Sequence, residues 1–293
     1  MFKLATCISV LLVLTPDVLA QRKPKAPEPV EMTVRQVNDR RGGQFFERMS
    51  LVVELPRIAA KDVAAARVLL SSASDDTGKS LIGDDRDEPP LESPRGIGWD
   101  GEGEEPTVLS FNLGTPARAA SSVKEVRGEV ELYMPSKDPN SVALIPKFLA
   151  SRGKALTHKS LKSNGVEISL VSEQQYEAEK KRLGEAKRKE MLADGYPEDS
   201  IASILESFFE YFPVPDANDV VVRIKDPKNV LQEIAYVDSS GETRRVSMRE
   251  DEGFTFLSSW EGPPEENFAL RVSMKTAKTM MKYPFVLTNV ALP

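Results

Sequence analysis

The chain has 293 residues, 40% of them apolar and 29% charged, with a formal net charge of −6. That is enough apolar material for packed cores, and the acidic balance argues against the concentrated basic face of a nucleic-acid binder. A single histidine, His158, and a single cysteine, Cys7, exclude most zinc sites, Cys–His nucleophile pairs and disulfide frameworks.

The first segment has the layout of a secretory signal peptide. Lys3 supplies a positive start, Leu4 to Leu14 form a short apolar run, Pro16 breaks it, and Val18-Leu19-Ala20 precede Gln21 as a cleavage site. The run is shorter than the ~20 residues a bilayer span requires. Residues 1–20 are therefore expected to be removed together with Cys7, leaving an exported chain, secreted or periplasmic, with no thiol and no transmembrane span. Residues 21–31, QRKPKAPEPVE, mix charge and proline and read as an extended arm.

Residues 32–172 read as mostly β and are expected to form a first β-sandwich domain. Met49, Leu51, Val53 and Leu55 share one face. From Lys124 to Met134, Val126, Gly128, Val130, Leu132 and Met134 alternate with Glu125, Arg127, Glu129, Glu131 and Tyr133. A period of two with charge on one side is the pattern of a half-buried strand. Further strands are expected at Ala66–Ser71, Thr107–Leu113, Val142–Phe148 and Gly165–Val171. An acidic loop over 83–106 carries four prolines, five glycines and nine acidic residues against two arginines, the composition of a solvated insertion.

Residues 173–212 change period and predict an α-helical hairpin. Glu173 to Ala193 is highly charged, with Glu177/Lys181 and Glu185/Lys189 four residues apart. Asp194-Gly195 stops it and Pro197 starts a second helix. There Ile201, Ile204, Leu205, Phe208, Phe209 and Phe212 form one apolar stripe, a candidate interaction surface or a core face. The first helix offers only Tyr176, Leu183, Ala186 and Met191, so something else must cover the aromatic end of the stripe. Residues 213–293 return to β, with Phe268, Leu270, Val272 and Met274 alternating. About six strands in roughly 80 residues predict a C-terminal immunoglobulin-like sandwich.

Several short motifs carry chemistry elsewhere. Asp76-Thr77-Gly78 matches the aspartic-protease triplet, but that chemistry needs a second carboxylate and no second copy occurs. Ala73 to Ser80 ends like a phosphate-binding loop yet lacks its first glycine and its following helix. His158 lies in a polar connection. Asp75, Asp76, Asp84, Asp85 and Asp87 are close in sequence and suit structural calcium or a solvated acidic loop. Lys180, Lys181, Arg182, Lys187, Arg188 and Lys189 are interleaved with glutamates and read as a solvated helix face. These motifs assign no catalytic, cofactor-binding or metal-ligating residue.

Three segments, Ser74 to Leu81, Val126 to Leu132 and Pro284 to Pro293, together resemble uncharacterised secreted β-sandwich proteins of planctomycete-type bacteria. The resemblance implies location and fold, carries no activity, and makes the Asp75–Leu81 stretch a structural turn. The resulting expectation is a mainly β, exported protein with two immunoglobulin-like sandwiches separated by a helical hairpin. Its expected function is non-catalytic, an interaction or structural protein of the cell envelope whose partner is a protein or envelope component. The alternatives are carbohydrate binding, for which Trp99 and Trp260 are the only tryptophans, and a hydrolase.

Overall fold

The computed structural model describes residues 28–40, 48–83, 88–93 and 106–293. The expected signal peptide, most of the proline-rich arm and most of the acidic loop lie outside the described residues. The protein is mainly β, with four antiparallel sheets and few helices.

The strands are β1 (Thr33–Arg40), β2 (Arg48–Ala59), β3 (Ala65–Asp75), β4 (Pro106–Leu113), β5 (Ser122–Tyr133), β6 (Val142–Pro146) and β7 (Glu167–Leu170). They continue as β8 (Asp219–Lys225), β9 (Leu231–Val237), β10 (Thr243–Arg245), β11 (Ser247–Asp251), β12 (Phe254–Ser258), β13 (Ala269–Met274) and β14 (Met280–Ala291). The helices are α1 (Lys159–Asn164), α2 (Glu173–Ala193) and α3 (Glu198–Glu210). Strand orders are β1-β2-β4, β14-β5-β3, β10-β9-β13-β6 and β11-β12-β8-β7.

The expected division of the chain at 172 and 213 does not follow the strand pairing. The final strand β14 runs back to pair with β5 from Met280↔Tyr133 to Ala291↔Ser122. The strand that follows β5 in sequence, β6, pairs instead with β13, and β7 pairs with β8. Two connections therefore cross between Tyr133 and Met280. There the Met134 amide donates to the Thr279 carbonyl, Thr276 Oγ1 donates to Asp138, and Tyr133 donates to the Met274 carbonyl. Alternation within each strand places its apolar side but says nothing about which distant strand completes its edge.

One buried cluster unites β2, β3, β4, β5 and β14, including Leu51, Phe111, Val130 and Phe285. The face of β2 read from the sequence is fully buried at Met49, Leu51, Val53 and Leu55. Gly128 is required here. β3 carries a bulge opposite it, and a side-chain carbon at Gly128 would lie 2.2 Å from the Leu69 carbonyl oxygen. A second cluster unites β6, β7, β8, β9, β12 and β13 with α1, including Ile168, Val222, Tyr236 and Leu270.

The solvent-side alternation of β5 also departs from expectation. Glu131 is 2% exposed. It stands directly between Arg67 on β3 and Lys282 on β14 and pairs with both. Burial raises the Glu131 pKa, but the hydrogen bonds from Lys282 and Arg67 outweigh it and hold the carboxyl below its ordinary value. Tyr133 is buried where the two connections cross, and burial pushes its hydroxyl up to about 12.

Candidate functional site

Five of the six stripe residues sit on α3 and Phe212 follows just past its C-cap, Tyr211, so the helix ends two residues short of the end of the expected stripe. α3 starts after Pro197 with Glu198 and Asp199 in its first turn, where the helix dipole favours negative charge. The structure divides the stripe. Ile201 and Phe212 are buried, Ile204, Leu205 and Phe208 are half-buried, and Phe209 is 39% exposed. The cover missing from the first helix comes from β12. Tyr176 and Phe212 join Phe254 and Phe256 in one buried cluster against which Leu183 and Phe208 pack. Tyr176 lies 5.0 Å from Phe254 and 5.8 Å from Phe212, ring centre to ring centre, and its hydroxyl donates to the Pro213 carbonyl. Phe256 alternates with Leu257, so β12 buries both of its faces.

Gly184 sets how closely the helices approach, because a side-chain carbon there would lie 2.3 Å from the Phe209 ring. Cations from α2 cap the aromatic rings. Lys187 Nζ lies 5.1 Å from the Phe208 ring centre and Lys180 Nζ lies 5.4 Å from that of Phe212. Glu179 holds Arg182 and reaches Arg223 across to β8, and Arg188 pairs with Glu198 on α3. The basic positions of α2 are thus partly engaged in pinning this layer together.

The outer part of the stripe lines a groove of about 340 Å³ between α3 and the turn joining β11 to β12. Ile204, Phe208 and Tyr211 form one side, with Tyr211 80% exposed, and Asp251 and Glu252 stand on the other. Glu252 and Gly253 both have positive φ, 48° and 78°, in a two-residue turn of the primed hairpin type. A glutamate there is held in a backbone region that asparagine or glycine occupies more readily. The sequence signal for Tyr211 is its position seven residues after Ile204, on the same helical side. Asp251 and Glu252 had no such signal, since only the fold brings them to α3.

The Asp75–Ser80 stretch is a locked turn. Asp75 is fully buried and accepts hydrogen bonds from the Thr77 amide and hydroxyl, the Lys79 amide and the Ala117 amide. Burial raises its pKa, but the bonds from Ala117, Thr77 and Lys79 together prevail and hold it down to about 2. Asp76 accepts from Ser121 and Ser122, and Lys79 Nζ donates to the Thr115 carbonyl. The amides of Thr77 and Lys79, which would be available to a phosphate, are directed at the Asp75 carboxylate. The triplet's carboxylate holds the loop that leads into β5.

His158 caps α1, its Nδ1 accepting from the Ser160 amide. Trp260 does not continue the alternation of Phe254 and Phe256. It lies beyond the end of β12 on a turn closed by the Gly262 amide and the Ser259 carbonyl, and is 93% exposed. Trp99, Asp84, Asp85 and Asp87 lie outside the described residues. Among the described residues no group of three or more histidine, cysteine or carboxylate side chains is placed to hold a metal ion, and no helix is long and apolar enough to cross a membrane. No protein-family model matches the chain, and neither a curated protein nor a solved structure is significantly similar to it.

Proposed function

We infer that this is an exported, non-catalytic interaction protein of the cell envelope, which engages its partner through the α3 groove. The observation that carries this reading is Tyr211, exposed beside half-buried Ile204 and Phe208 and facing Asp251 and Glu252. An aromatic side chain at the mouth of a part-apolar cleft is the kind of anchor that dominates interfaces. Export rests on the signal layout of residues 1–20 and on the resemblance to secreted β-sandwich proteins.

The fold proposed for this role is a pair of immunoglobulin-like sandwiches with a helical hairpin packed on one of them. The strand order β1-β2-β4 against β14-β5-β3, and β7-β8-β12-β11 against β10-β9-β13-β6, supports it. In this arrangement the sandwiches exchange edge strands, β14 going back to the first and β6 and β7 forward to the second.

The test pairs the tagged full chain with Tyr211→Ala and Asp251→Lys in a bacterial envelope fraction. Retained fold with loss of the specifically captured component is expected for both variants. Capture indistinguishable from wild type would remove the groove from this role. Mass spectrometry of the exported form is expected to show an N-terminus at or near Gln21, and a soluble cytoplasmic protein still carrying Met1 would refute export. A second reading, carbohydrate binding, is favoured by Trp260 alone. It predicts retention on insoluble polysaccharide that Trp260→Ala abolishes.

A further inference from the structure

The side of β7 and β8 that turns away from the second core is charged. Ile168, Leu170 and Val222 point into that core. Glu167 and Ser169 on β7 and their register partners Lys225 and Arg223 on β8 therefore point the other way. Gln175, Ala178, Glu179 and Arg182 of α2, which fall at helical spacing on one face, meet them. Between strands and helix lies a wedge of about 520 Å³. Its third wall is Gly153-Lys154-Ala155. That segment is held to β7 by the Gly153 amide donating to the Leu170 carbonyl and the Leu170 amide donating to the Lys154 carbonyl. It is held to α2 by Gln175 Nε2 donating to the Gly153 carbonyl. The three walls are thus fixed to one another.

The charges of the wedge do not balance. Lys154, Arg182, Arg223 and Lys225 stand against Glu167 and Glu179, an excess of two positive charges on a chain whose net charge is −6. Arg182 donates twice to Glu179, and Arg223 reaches the same carboxylate at 3.4 Å. The Arg223 guanidinium is also seated 5.1 Å from the Phe254 ring centre, so its place is set. Lys225 pairs with Glu167 at 3.2 Å, both side chains exposed, and Lys154 has no side-chain partner among the described residues.

The unmatched cations stand on different walls, Lys154 on the rim and Lys225 with Arg223 on the strands. The complementary charge is therefore divided as well. A ligand with two separated carboxylates can meet both walls, whereas a phosphate concentrates its charge at one centre. The volume lies within the ~300–1,000 Å³ of small-molecule sites. No aromatic side chain is among the described residues that line the wedge, so nothing there stacks on a nucleobase. We propose that the wedge between α2 and the β7–β8 ladder binds a small organic dicarboxylate, one carboxylate held by Lys154 and the other by Arg223 and Lys225. The site shares no lining residue with the α3 groove and stands independently of it.

The test titrates the full chain with linear dicarboxylates from succinate to pimelate, followed by calorimetry and by amide NMR shifts. Saturable binding of at least one member, with Kd of ~1 mM or tighter and shifts centred on Lys154, Ala155 and Ser169, is expected, and added salt should weaken it. Lys154→Ala and Lys225→Ala, both at exposed positions where folding is little affected, are each expected to weaken binding about tenfold. Lys181→Ala, which removes an exposed α2 cation outside the wedge, should bind as wild type. No saturation, shifts centred elsewhere, or undiminished binding by the Lys154 and Lys225 variants would overturn the proposal. An equal loss in Lys181→Ala would also overturn it, by reducing the effect to the general charge of the helix. So would butyrate or inorganic phosphate binding as tightly with the same lysine dependence, since either would make the wedge a site for a single anionic group.

Discussion

β5 and β12 both bury residues on the side that faces away from their core, and do so by opposite means. On β5 the residues facing away from the first core are charged, and Glu131 is nevertheless buried because Arg67 and Lys282 close over it. On β12 the residues facing away from the second core are Phe254 and Phe256, and they are buried because α2 and α3 lie over them. A strand side that points out of its core is thus not a solvent side by default. It is satisfied by ion pairing where only neighbouring strands flank it, and by aromatic packing where a helical layer covers it.

Four experiments would break or sharpen this comparison, and the largest effect is expected from deleting residues 280–293. That removes Phe285 and Leu287 from the first core together with one sheet edge, a loss of more than ~5 kcal/mol. Hydrogen exchange should show protection lost in β3 and β5, far away in sequence. Loss confined to β12 and β13 would contradict the crossed pairing. Next, Phe256→Ala is expected to cost about 4 kcal/mol in a denaturant melt, since the side chain is fully buried beneath the helical layer. A cost below ~1 kcal/mol would mean that α2 and α3 do not cover β12 in solution.

The carboxylates set the third. Asp75 and Glu131 both have folded pKa values below their ordinary ones, so the stability they contribute is present above about pH 4 and is lost as pH falls through the folded values. For Asp75 that window closes near pH 2. Asp75→Asn is expected to flatten the acid side of the stability curve and to cost about 2 kcal/mol at neutral pH, by weakening the bonds from Thr77, Lys79 and Ala117. An unchanged acid slope would show that the turn is held by something other than this charge.

The smallest effects lie along α3 and its facing turn. Phe208→Ala, half-buried, is expected to cost about 2 kcal/mol, against less than ~0.5 kcal/mol for exposed Tyr211→Ala. Glu252→Asn is expected to raise stability by about 0.5 kcal/mol through relief of the left-handed glutamate. Equal costs for Phe208 and Tyr211 in thermal melts would place the boundary between core and groove elsewhere on the helix.

Local pattern carried much of this protein. The period-two runs at Met49–Leu55 and Phe268–Met274 gave the correct buried sides, because a side chain's direction on a strand depends only on its position in the strand. The change of period at Glu173, the stop at Asp194-Gly195 and the restart at Pro197 marked α2 and α3 for the same reason, and Ser172 and Gln175 close the expected start with reciprocal capping bonds. The candidate site was half legible. The stripe was readable as a helical side, but the division into a buried end and a groove depends on β12 and on a turn more than 40 residues downstream.

The sequence by itself determined the strands from β2 to β5 other than their pairing, the two long helices α2 and α3, and the scarcity of thiol and imidazole that excludes whole classes of chemistry, while α1, read as a polar connection, and β1 carried no clear signal. Only the tertiary structure decided that β14 returns to β5, that Glu131 is buried, that Gly128 must admit the Leu69 carbonyl, and that Asp251 and Glu252 face Tyr211. The physical reason is that hydrophobic burial and local propensity act over a few residues and are written in the order of side chains. Strand pairing uses backbone groups common to every residue but proline, so its partners are chosen by packing across the whole chain.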